Sequence, residues 1–277
     1  MSSPTVHRLQ LGRELRRLRE RAGVNREAAA AALGCDLSKI GRIEQGKRAA
    51  RAAEITQLAA LYGADDIETE KALGLGREAR KRNNAGVSDW ARTFVGLETD
   101  AAVIKTYQPE LVPGLLQTEA YTRAVTRAFR PTAGPEEVER MVASRQDRQA
   151  RLASANPPML WVVINEAVLH RVVGRREVMA EQLRRLLELS EPATVSIQVL
   201  PFSVGAHAAM GTRFVILELC DPPDAQMVYL EEPWSADYID REQAVLAYAG
   251  LFDRVAAMAM DMDNSARVIK QVLKGMT

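Results

Sequence analysis

The sequence has few cysteines and few histidines. Its 277 residues include two cysteines, Cys35 and Cys220, and three histidines, His7, His170 and His207. The cysteines lie too far apart in sequence to form the close pair typical of zinc motifs, and two thiols cannot build a disulfide framework. The histidines show no metal-ligand spacing with each other or with the cysteines. We therefore expect neither a bound metal nor a cofactor.

Long hydrophobic runs are also missing. No apolar stretch approaches the roughly 20 residues that a membrane-spanning helix needs. The first residues, MSSPTVHRLQLGRELRR, lack the apolar centre of a signal peptide. With 47% hydrophobic and 26% charged residues, the composition is ordinary for a globular protein. Together with the sparse cysteines, these features predict a cytoplasmic protein without membrane contacts.

Charge is unevenly distributed, although the formal net charge is only +1. Residues 1–82 contain 17 Lys and Arg against 11 Asp and Glu, whereas residues 83–277 contain 20 against 25. A basic N-terminal module favours a polyanionic partner such as nucleic acid. At about 150 residues per domain the chain has room for two. We expect domains at 1–82 and 90–277, joined by a small, polar, glycine-containing linker at 83–89.

Five segments of the first domain show helical periodicity. They are predicted at 6–22, 26–33, 37–45, 51–62 and 66–82, and a glycine follows each of the first four. Asn25 and Asp36 precede the second and third segments, where N-cap residues are preferred. Gly34 provides the turn between them because glycine tolerates positive φ. This all-α, five-helix domain has the layout of a helix-turn-helix, whose second helix enters the DNA major groove.

The second domain mixes helical and extended segments. Apolar residues first recur at helical spacing, at Trp90, Phe94, Leu97, Ala101 and Ile104. Short apolar or alternating segments then predict four strands, at 159–164, 194–200, 212–219 and 226–230. Helices are expected among them and at the end, at 118–129, 136–155, 176–189, 241–260 and 265–273. We predict an α+β domain with a small mixed sheet covered by helices.

No segment carries a convincing catalytic motif. Residues 74–79, GLGREA, imitate a dinucleotide-binding fingerprint, but they follow a helical segment and lack a βαβ context. A helix interruption before the linker accounts for them. The Ser, His and Asp residues show no nucleophile elbow, so we do not expect an enzyme. Cys35, in the motif turn, is interpreted as a packing residue, with an oxidisable thiol beside the recognition helix as the alternative.

The N-terminal motif resembles the Cro-type phage-repressor family, also called xenobiotic-response-element (XRE) regulators. The resemblance rests on LRRLRERAG at 15–23, LGC at 33–35 and LSKIGRIEQGKR at 37–48. It implies that Arg26 contacts a phosphate. It also implies an ion pair between Arg19 and Glu44.

The same resemblance implies that base edges are contacted by Leu37, Ser38 and Arg42. Family members often have Gln where this chain has Leu37, which leaves an apolar contact there, for example with a thymine methyl. Arg42 is predicted to bind guanine through two hydrogen bonds, with a phosphate contact as the alternative. Phosphate contacts are expected from Lys39, Lys47 and Arg48.

The second domain resembles the C-terminal domain of actinobacterial regulators of this type. The resemblance rests on FVGLETDAAVIKTYQPELVPGLLQTEAYTRAV at 94–125, IQVLPF at 197–202, GAHAAMG at 205–211 and VYLE at 228–231. Such proteins are often encoded beside a small acidic partner protein, and some are described as antitoxin-like. The resemblance brings no catalytic motif.

We therefore expect a dimeric, sequence-specific transcription regulator that binds a double-stranded DNA operator and is nucleoid-associated when bound. Its C-terminal domain would sense a small-molecule effector or a protein partner. The alternative is an antitoxin-like protein that binds a small acidic partner, with DNA binding serving autoregulation. Candidate ligand or partner contacts are Trp90, Tyr107, Phe202 and His207. The alternative places the aromatic residues in the core and His207 in a surface loop.

Overall fold

The computed structural model describes residues 4–79, 89–220, 225–232 and 236–276. Contacts between Cα atoms divide the chain into two compact units, Met1–Leu97 and Glu98–Thr277. Each unit has its own hydrophobic core. Most of the predicted linker, residues 83–88, lies outside the described residues, so the domain boundaries stay a prediction.

The first unit is helical, as predicted. It contains α1 (Pro4–Arg21), α2 (Arg26–Ala32), α3 (Leu37–Glu44), α4 (Ala52–Leu61) and α5 (Asp66–Glu78). The apolar stripes of these helices meet in one core, which includes Leu11, Leu15, Leu18, Ile40, Ile43, Ile55 and Leu58. This arrangement confirms the all-α fold of the N-terminal region.

The helix interruption predicted at residues 74–79 is wrong. α5 continues without a break through Gly74 and Gly76 to Glu78. A Cβ added at Gly76 would overlap the side chain of Ile55 in α4. The glycine therefore permits two helices to approach closely, which is a common reason for glycine inside a helix.

The second unit alternates strands and helices. A helix that begins in the first unit, α6 (Asp89–Asp100), leads into β1 (Ala101–Gln108). The elements that follow are a 3₁₀ turn (Gly114–Leu116), α7 (Glu119–Phe129), α8 (Pro135–Gln149) with a 3₁₀ extension (Ala150–Ala153), β2 (Met159–Asn165), α9 (Ala167–His170), α10 (Arg176–Leu189), β3 (Val195–Leu200), a 3₁₀ turn (Phe202–Val204), β4 (Phe214–Leu219), β5 (Gln226–Glu231), β6 (Ala236–Ile239), α11 (Glu242–Met258) and α12 (Met262–Lys274).

The six strands form one mixed sheet in the order β3-β2-β1-β4-β5-β6. β1, β2 and β3 are parallel, and β1 pairs with β4 in the antiparallel direction, as do the remaining neighbours. Tyr107 in β1 lies opposite Val163 in β2 and Phe214 in β4. This confirms an α+β domain with a mixed sheet, although the sheet has six strands where four were predicted.

The helix predicted to continue through Ile104 ends at Asp100, because residues 101–108 form the strand β1. This segment, AAVIKTYQ, is rich in β-branched and aromatic residues, which favour a strand. β1 lies between β2 and β4, and both Ile104 and Tyr107 are buried. Burial on both faces removes the simple alternation that identifies a strand in sequence.

One face of the sheet is covered by α11. Tyr107, Val163, Phe214 and Val228 share a core with apolar residues of that helix, Val245, Phe252, Val255 and Ala256. Strand alternation directs Ile104, Val162 and Ile164, which are also buried, to the opposite face. Because β1, β2 and β3 are parallel, their carboxyl ends at Gln108, Asn165 and Leu200 meet at one edge.

Candidate nucleic-acid interface

Residues 25–46 form the two helices and tight turn of the predicted motif. The Oδ1 atom of Asn25 accepts a hydrogen bond from the Ala28 N–H at 2.8 Å and so caps α2. Gly34 follows with φ of +57°, a conformation that residues with a Cβ disfavour. Asp36 occupies the N-cap position of α3, but its side chain forms no capping hydrogen bond. Asp36 is thus at the predicted N-cap position, but its side chain does not cap α3.

Two glycines allow α1 to pack closely against the end of α3. A Cβ added at Gly12 in α1 would lie 2.5 Å from the carbonyl oxygens of both Ile43 and Glu44. Gly46, just after α3, has φ of +67°, and a Cβ there would lie 2.9 Å from the Cα of Leu9. The contact between α1 and the end of α3 is thus a backbone contact. Sequence reasoning missed the role of Gly12, although a glycine within a helix is a signal of close packing.

A buried carboxylate ties three helices together. Glu44 of α3 accepts from Arg19 Nε of α1 at 2.5 Å and from Arg26 Nε of α2 at 2.8 Å. The Glu44 side chain is 3% exposed and that of Arg19 is 10% exposed. The hydrogen bond to Glu44 raises the pKa of Arg19, and Arg19 also donates to the Val24 carbonyl at 3.0 Å. The structure brings Arg19 and Glu44 together and adds Arg26, whose contact sequence reasoning missed.

The opposite side of α3 is exposed. Leu37 is 47% exposed, and Ser38 and Arg42 are exposed beside it. Arg42 donates from Nε to the Ser38 carbonyl at 3.2 Å and from Nη2 to Ser38 Oγ at 3.3 Å. The structure therefore brings two of the predicted base contacts together on one face. A guanidinium held in this way keeps further N–H donors that can reach a base edge.

Besides Arg26, three residues were predicted to contact phosphates, and their surroundings differ. Lys47 and Arg48 follow α3 and are exposed, and neither forms an ion pair with another described residue. Lys39 is half-buried, and its Nζ lies 2.6 Å from Glu54 Oε1. Burial raises the pKa of Glu54, but the Arg51 N–H and Lys39 more than offset it, so that the pKa is lowered. For Lys39 to contact a DNA phosphate, its ion pair with Glu54 must break.

Two family models match the chain. Residues 10–72 match a helix-turn-helix domain, which supports a DNA-binding regulator. Residues 91–271 match a domain of unknown function, DUF5753. That second match spans more than half of the chain. The chain belongs to the DUF5753 family. No curated protein and no solved structure matched the chain.

In the DUF5753 domain, the structure brings Tyr107 and His207 together. Tyr107 Oη lies 3.4 Å from His207 Nε2, and the two rings meet edge to face with centroids 5.7 Å apart. Burial raises the pKa of Tyr107, against the effect of a hydrogen bond with Asn165. The Nδ1 atom of His207 is buried and has no hydrogen-bond partner in the described part of the chain.

Phe202 lies in a different set of contacts at the same sheet edge. It is 57% exposed, and its ring stacks on His170 with centroids 6.0 Å apart. Its N–H donates to Glu166 Oε2 at 2.7 Å, and Glu166 Oε1 lies 3.5 Å from His170 Nε2. No described contact joins Phe202 to Tyr107 or His207. The side chain of Trp90, the fourth candidate ligand or partner contact, lies outside the described residues.

Three further observations concern other classes of site. Over the described ranges, no three His, Cys, Asp or Glu side chains come together as a metal site. None of the helices there combines the length and hydropathy needed to cross a bilayer. Cys35 and Cys220 are free thiols, and Cys35 is half-buried and packs against the N-terminal core.

Proposed function

We propose that the protein is a sequence-specific transcription regulator that binds a double-stranded DNA operator through α3. The observation that carries this proposal is the two-sided character of α3. Ile40 and Ile43 are buried on one side, whereas Leu37, Ser38 and Arg42 are exposed on the other. A recognition helix needs this arrangement, because one face must pack on the domain while the other enters the groove.

The residues divide by role. Arg42 donates to guanine O6 and N7, and Leu37 provides an apolar contact for a thymine methyl. Ser38 positions Arg42 and contacts a base edge of its own. Phosphates are bound by Arg26, Lys47 and Arg48, and by Lys39 once it has left Glu54; these contacts fix the register of the protein without selecting sequence.

The protein acts as a homodimer in this proposal. Helix-turn-helix dimers place two recognition helices about 34 Å apart, one turn of DNA, so that each contacts a half-site. The DUF5753 domain dimerises or receives a signal and thereby changes the spacing of the two helices. A cytoplasmic location with nucleoid association follows from the DNA-bound role.

The decisive experiment compares Arg42→Ala with Lys47→Ala in the full-length protein. The operator is first recovered as the DNA that copurifies with the protein from its native cell. Arg42→Ala should lose about 1–3 kcal/mol of discrimination between the operator and a variant with one guanine replaced. Lys47→Ala should weaken both DNAs equally and flatten the salt dependence. Unchanged operator binding by Arg42→Ala would refute the assignment.

The same purification separates this proposal from the antitoxin-like alternative. A specific palindrome recovered without a protein partner supports the regulator. A small acidic protein recovered in stoichiometric amount supports the alternative, in which DNA binding serves autoregulation.

A further inference from the structure

The helix α11 has the composition of a helix that packs on two sides. Its sequence is EQAVLAYAGLFDRVAAM, and only Glu242, Asp253 and Arg254 of its 17 residues are charged. By contrast, α8 has seven charged residues among 15. A surface helix normally combines one apolar stripe with a polar face, whereas a helix that is apolar all round is buried all round. The sequence of α11 therefore predicts a second packed face besides the one on the sheet.

In the structure, α11 packs on the sheet through one side. Its main contacts are with β1, β3, β4 and β5, and Val245, Phe252 and Val255 are buried there. On the side away from the sheet, Leu246 is 62% exposed and Met258 is 43% exposed. Contiguous apolar surface of this kind marks interaction sites. We call this side the outer face of α11; it comprises Glu242, Gln243, Leu246, Ala247, Gly250, Asp253, Arg254, Ala257 and Met258.

Five residues of the outer face form a single row with a gap at its centre. Glu242, Leu246, Gly250, Arg254 and Met258 follow one another at intervals of four. Such rows are the ridges through which helices most commonly pack against each other. Gly250 adds no side chain to the ridge, and a Cβ there would lie 3.6 Å from Arg254 Nη1, the end of a flexible side chain. The row thus offers both a protruding leucine and a recess that can receive one.

The row is complementary to itself when two copies run antiparallel. A register that places Leu246 on the partner's Gly250 also places Glu242 opposite the partner's Arg254, because each of these lies one step of four further along its own row. The charges in that second pair are opposite. Among the described residues, neither Glu242 nor Arg254 has an ion-pair partner. Two-fold symmetry forms each contact twice. This complementarity of shape and charge favours a second copy of the chain as the occupant of the face.

We propose that the outer face of α11 binds the outer face of α11 in a second copy of this chain, as an antiparallel helix pair. Leu246 of each protomer packs on the partner's Gly250, and Glu242 pairs with the partner's Arg254. The inference rests on the proposed function in so far as that function includes a homodimer, and it names the surface that forms the dimer. Dimerisation is measured on the full-length protein without DNA, so the test does not depend on operator binding.

The first test replaces the protruding leucine. Sedimentation equilibrium of the full-length protein measures the dissociation constant of the dimer. Leu246→Lys places a charge in the apolar contact twice per dimer and should raise this Kd by at least about tenfold. Ile67→Lys is the matched control, because Ile67 is an 81% exposed isoleucine on α5 of the other unit. We expect the Kd of Ile67→Lys to equal that of wild type.

The recess at Gly250 separates a dimer contact from a general effect on folding. Gly250→Ala fills the recess with a methyl group and should raise the dimer Kd by roughly tenfold, because overpacking a close contact is unfavourable. Alanine favours a helix more than glycine does. The Tm of this variant, measured at a concentration where the protein is monomeric, should therefore equal or exceed that of wild type. A purely structural role of Gly250 would instead lower Tm.

A charge exchange tests the antiparallel register. Glu242→Arg and Arg254→Glu each bring like charges together across the dimer, and each should raise Kd by roughly tenfold. The double variant restores opposite charges with the signs exchanged, and its Kd should return to within about twofold of wild type. Both substitutions oppose the helix dipole within their own chain, so their effects on monomer stability add rather than cancel. Recovery of dimerisation in the double variant is therefore specific to the proposed contact.

Three results would overturn the proposal. A dimer with the same Kd in wild type and in all α11 variants would place the interface elsewhere and leave the proposed homodimer standing. A wild-type protein that sediments as a monomer at every concentration would refute both. A different protein that copurifies with a monomeric wild type, and is lost from Leu246→Lys, would assign the outer face to that partner. By contrast, a wild-type dimer that binds no DNA would refute the proposed function and leave this interface intact.

Discussion

At the scale of single residues, the N-terminal unit depends on one carboxylate. Glu44 receives Arg19 and Arg26, and Arg19 is buried with it. Glu44→Gln leaves the buried Arg19 guanidinium with only the exposed carboxylate of Glu20, at 3.5 Å, and should cost about 3–5 kcal/mol of unfolding free energy. Urea unfolding measures this loss. Glu70→Gln, which breaks the exposed pair with Arg77 on α5, should cost below about 1 kcal/mol.

A double variant tests whether the loss comes from the unpaired charge. Replacing a buried ion pair by apolar residues of similar size is often neutral, so Arg19→Met with Glu44→Leu should regain much of the stability that Glu44→Gln loses. If the double variant is less stable than Glu44→Gln, the cost lies in lost packing, and the charge argument fails.

A second residue-scale prediction concerns Lys39, which Glu54 holds at 2.6 Å. Glu54→Gln keeps an oxygen to accept from the Arg51 N–H but releases the lysine. We expect non-specific DNA binding to strengthen and the slope of log K against log salt to steepen by about 0.9 for each bound protomer, which is one phosphate contact. Glu27→Gln in α2 removes a carboxylate that forms no ion pair with a described residue. Equal changes in both variants would show a general charge effect.

These residue contacts were only partly predictable. The pair Arg19–Glu44 was suggested by family resemblance, and spacing alone did not reveal it. The contacts Arg26–Glu44 and Lys39–Glu54 join residues 15 or more positions apart on different helices. They arise from the tertiary approach of those helices, which no local pattern reports.

At the scale of elements, the backbone contact between α1 and α3 leads us to predict opposite stability effects for two glycine substitutions, one of which serves as the control. Gly12→Ala places a Cβ 2.5 Å from two carbonyl oxygens of α3 and should destabilise the protein by about 1–3 kcal/mol. Gly41→Ala, inside α3 with no atom within 4 Å of its added Cβ, should stabilise by up to about 1 kcal/mol. Thermal unfolding without DNA measures both. The same sign for both substitutions would contradict the close-packing argument.

The ion pairs between α1 and α5 should contribute to folding stability in a way that depends on acid pH. Hydrogen bonds from Arg21 and Arg17 lower the pKa of Glu68 from 4.5 to about 2. Because the folded-state pKa is lowered, this stabilisation is present above about pH 4.5 and is lost as the pH falls toward about 2. The difference in Tm between wild type and Glu68→Gln should shrink over that interval. Glu70→Gln, on the same helix, controls for loss of a carboxylate, and a difference independent of pH would contradict the prediction.

The elements themselves were predictable where their signals are local. The helix-turn-helix is marked by Asn25, Gly34 and Gly46, whose side-chain cap or positive φ is visible in sequence. β1 was predicted as helix because Ala101 and Ile104 fit a helical spacing. Its β-branched and aromatic residues favour a strand, and its central place in the sheet, a property of the assembled domain, reinforces that preference. The short edge strand β6 is also a consequence of pairing, here with β5.

At the scale of the whole molecule, the two parts of the chain differ in both charge and fold. The basic first 82 residues contain the exposed face of α3, whereas the acidic remainder forms the DUF5753 domain.

The last prediction concerns the oligomeric state. A substitution in a homodimer changes both half-sites at once, so its effect on the salt dependence of DNA binding is doubled. Each phosphate contact contributes about 0.9 to the slope of log K against log salt. Lys47→Ala should therefore flatten the slope by about 1.8 if a dimer binds the operator, and by about 0.9 if a monomer binds.

Fluorescence anisotropy of labelled operator across a salt series measures this slope on the full-length protein. Arg184→Ala, an exposed arginine in α10 of the other unit, should leave the slope unchanged. Sedimentation of the complex gives the number of protomers per operator independently of the slope. A change near 0.9 with one protomer per DNA would refute the dimer, because two half-sites cannot lose a single phosphate contact between them.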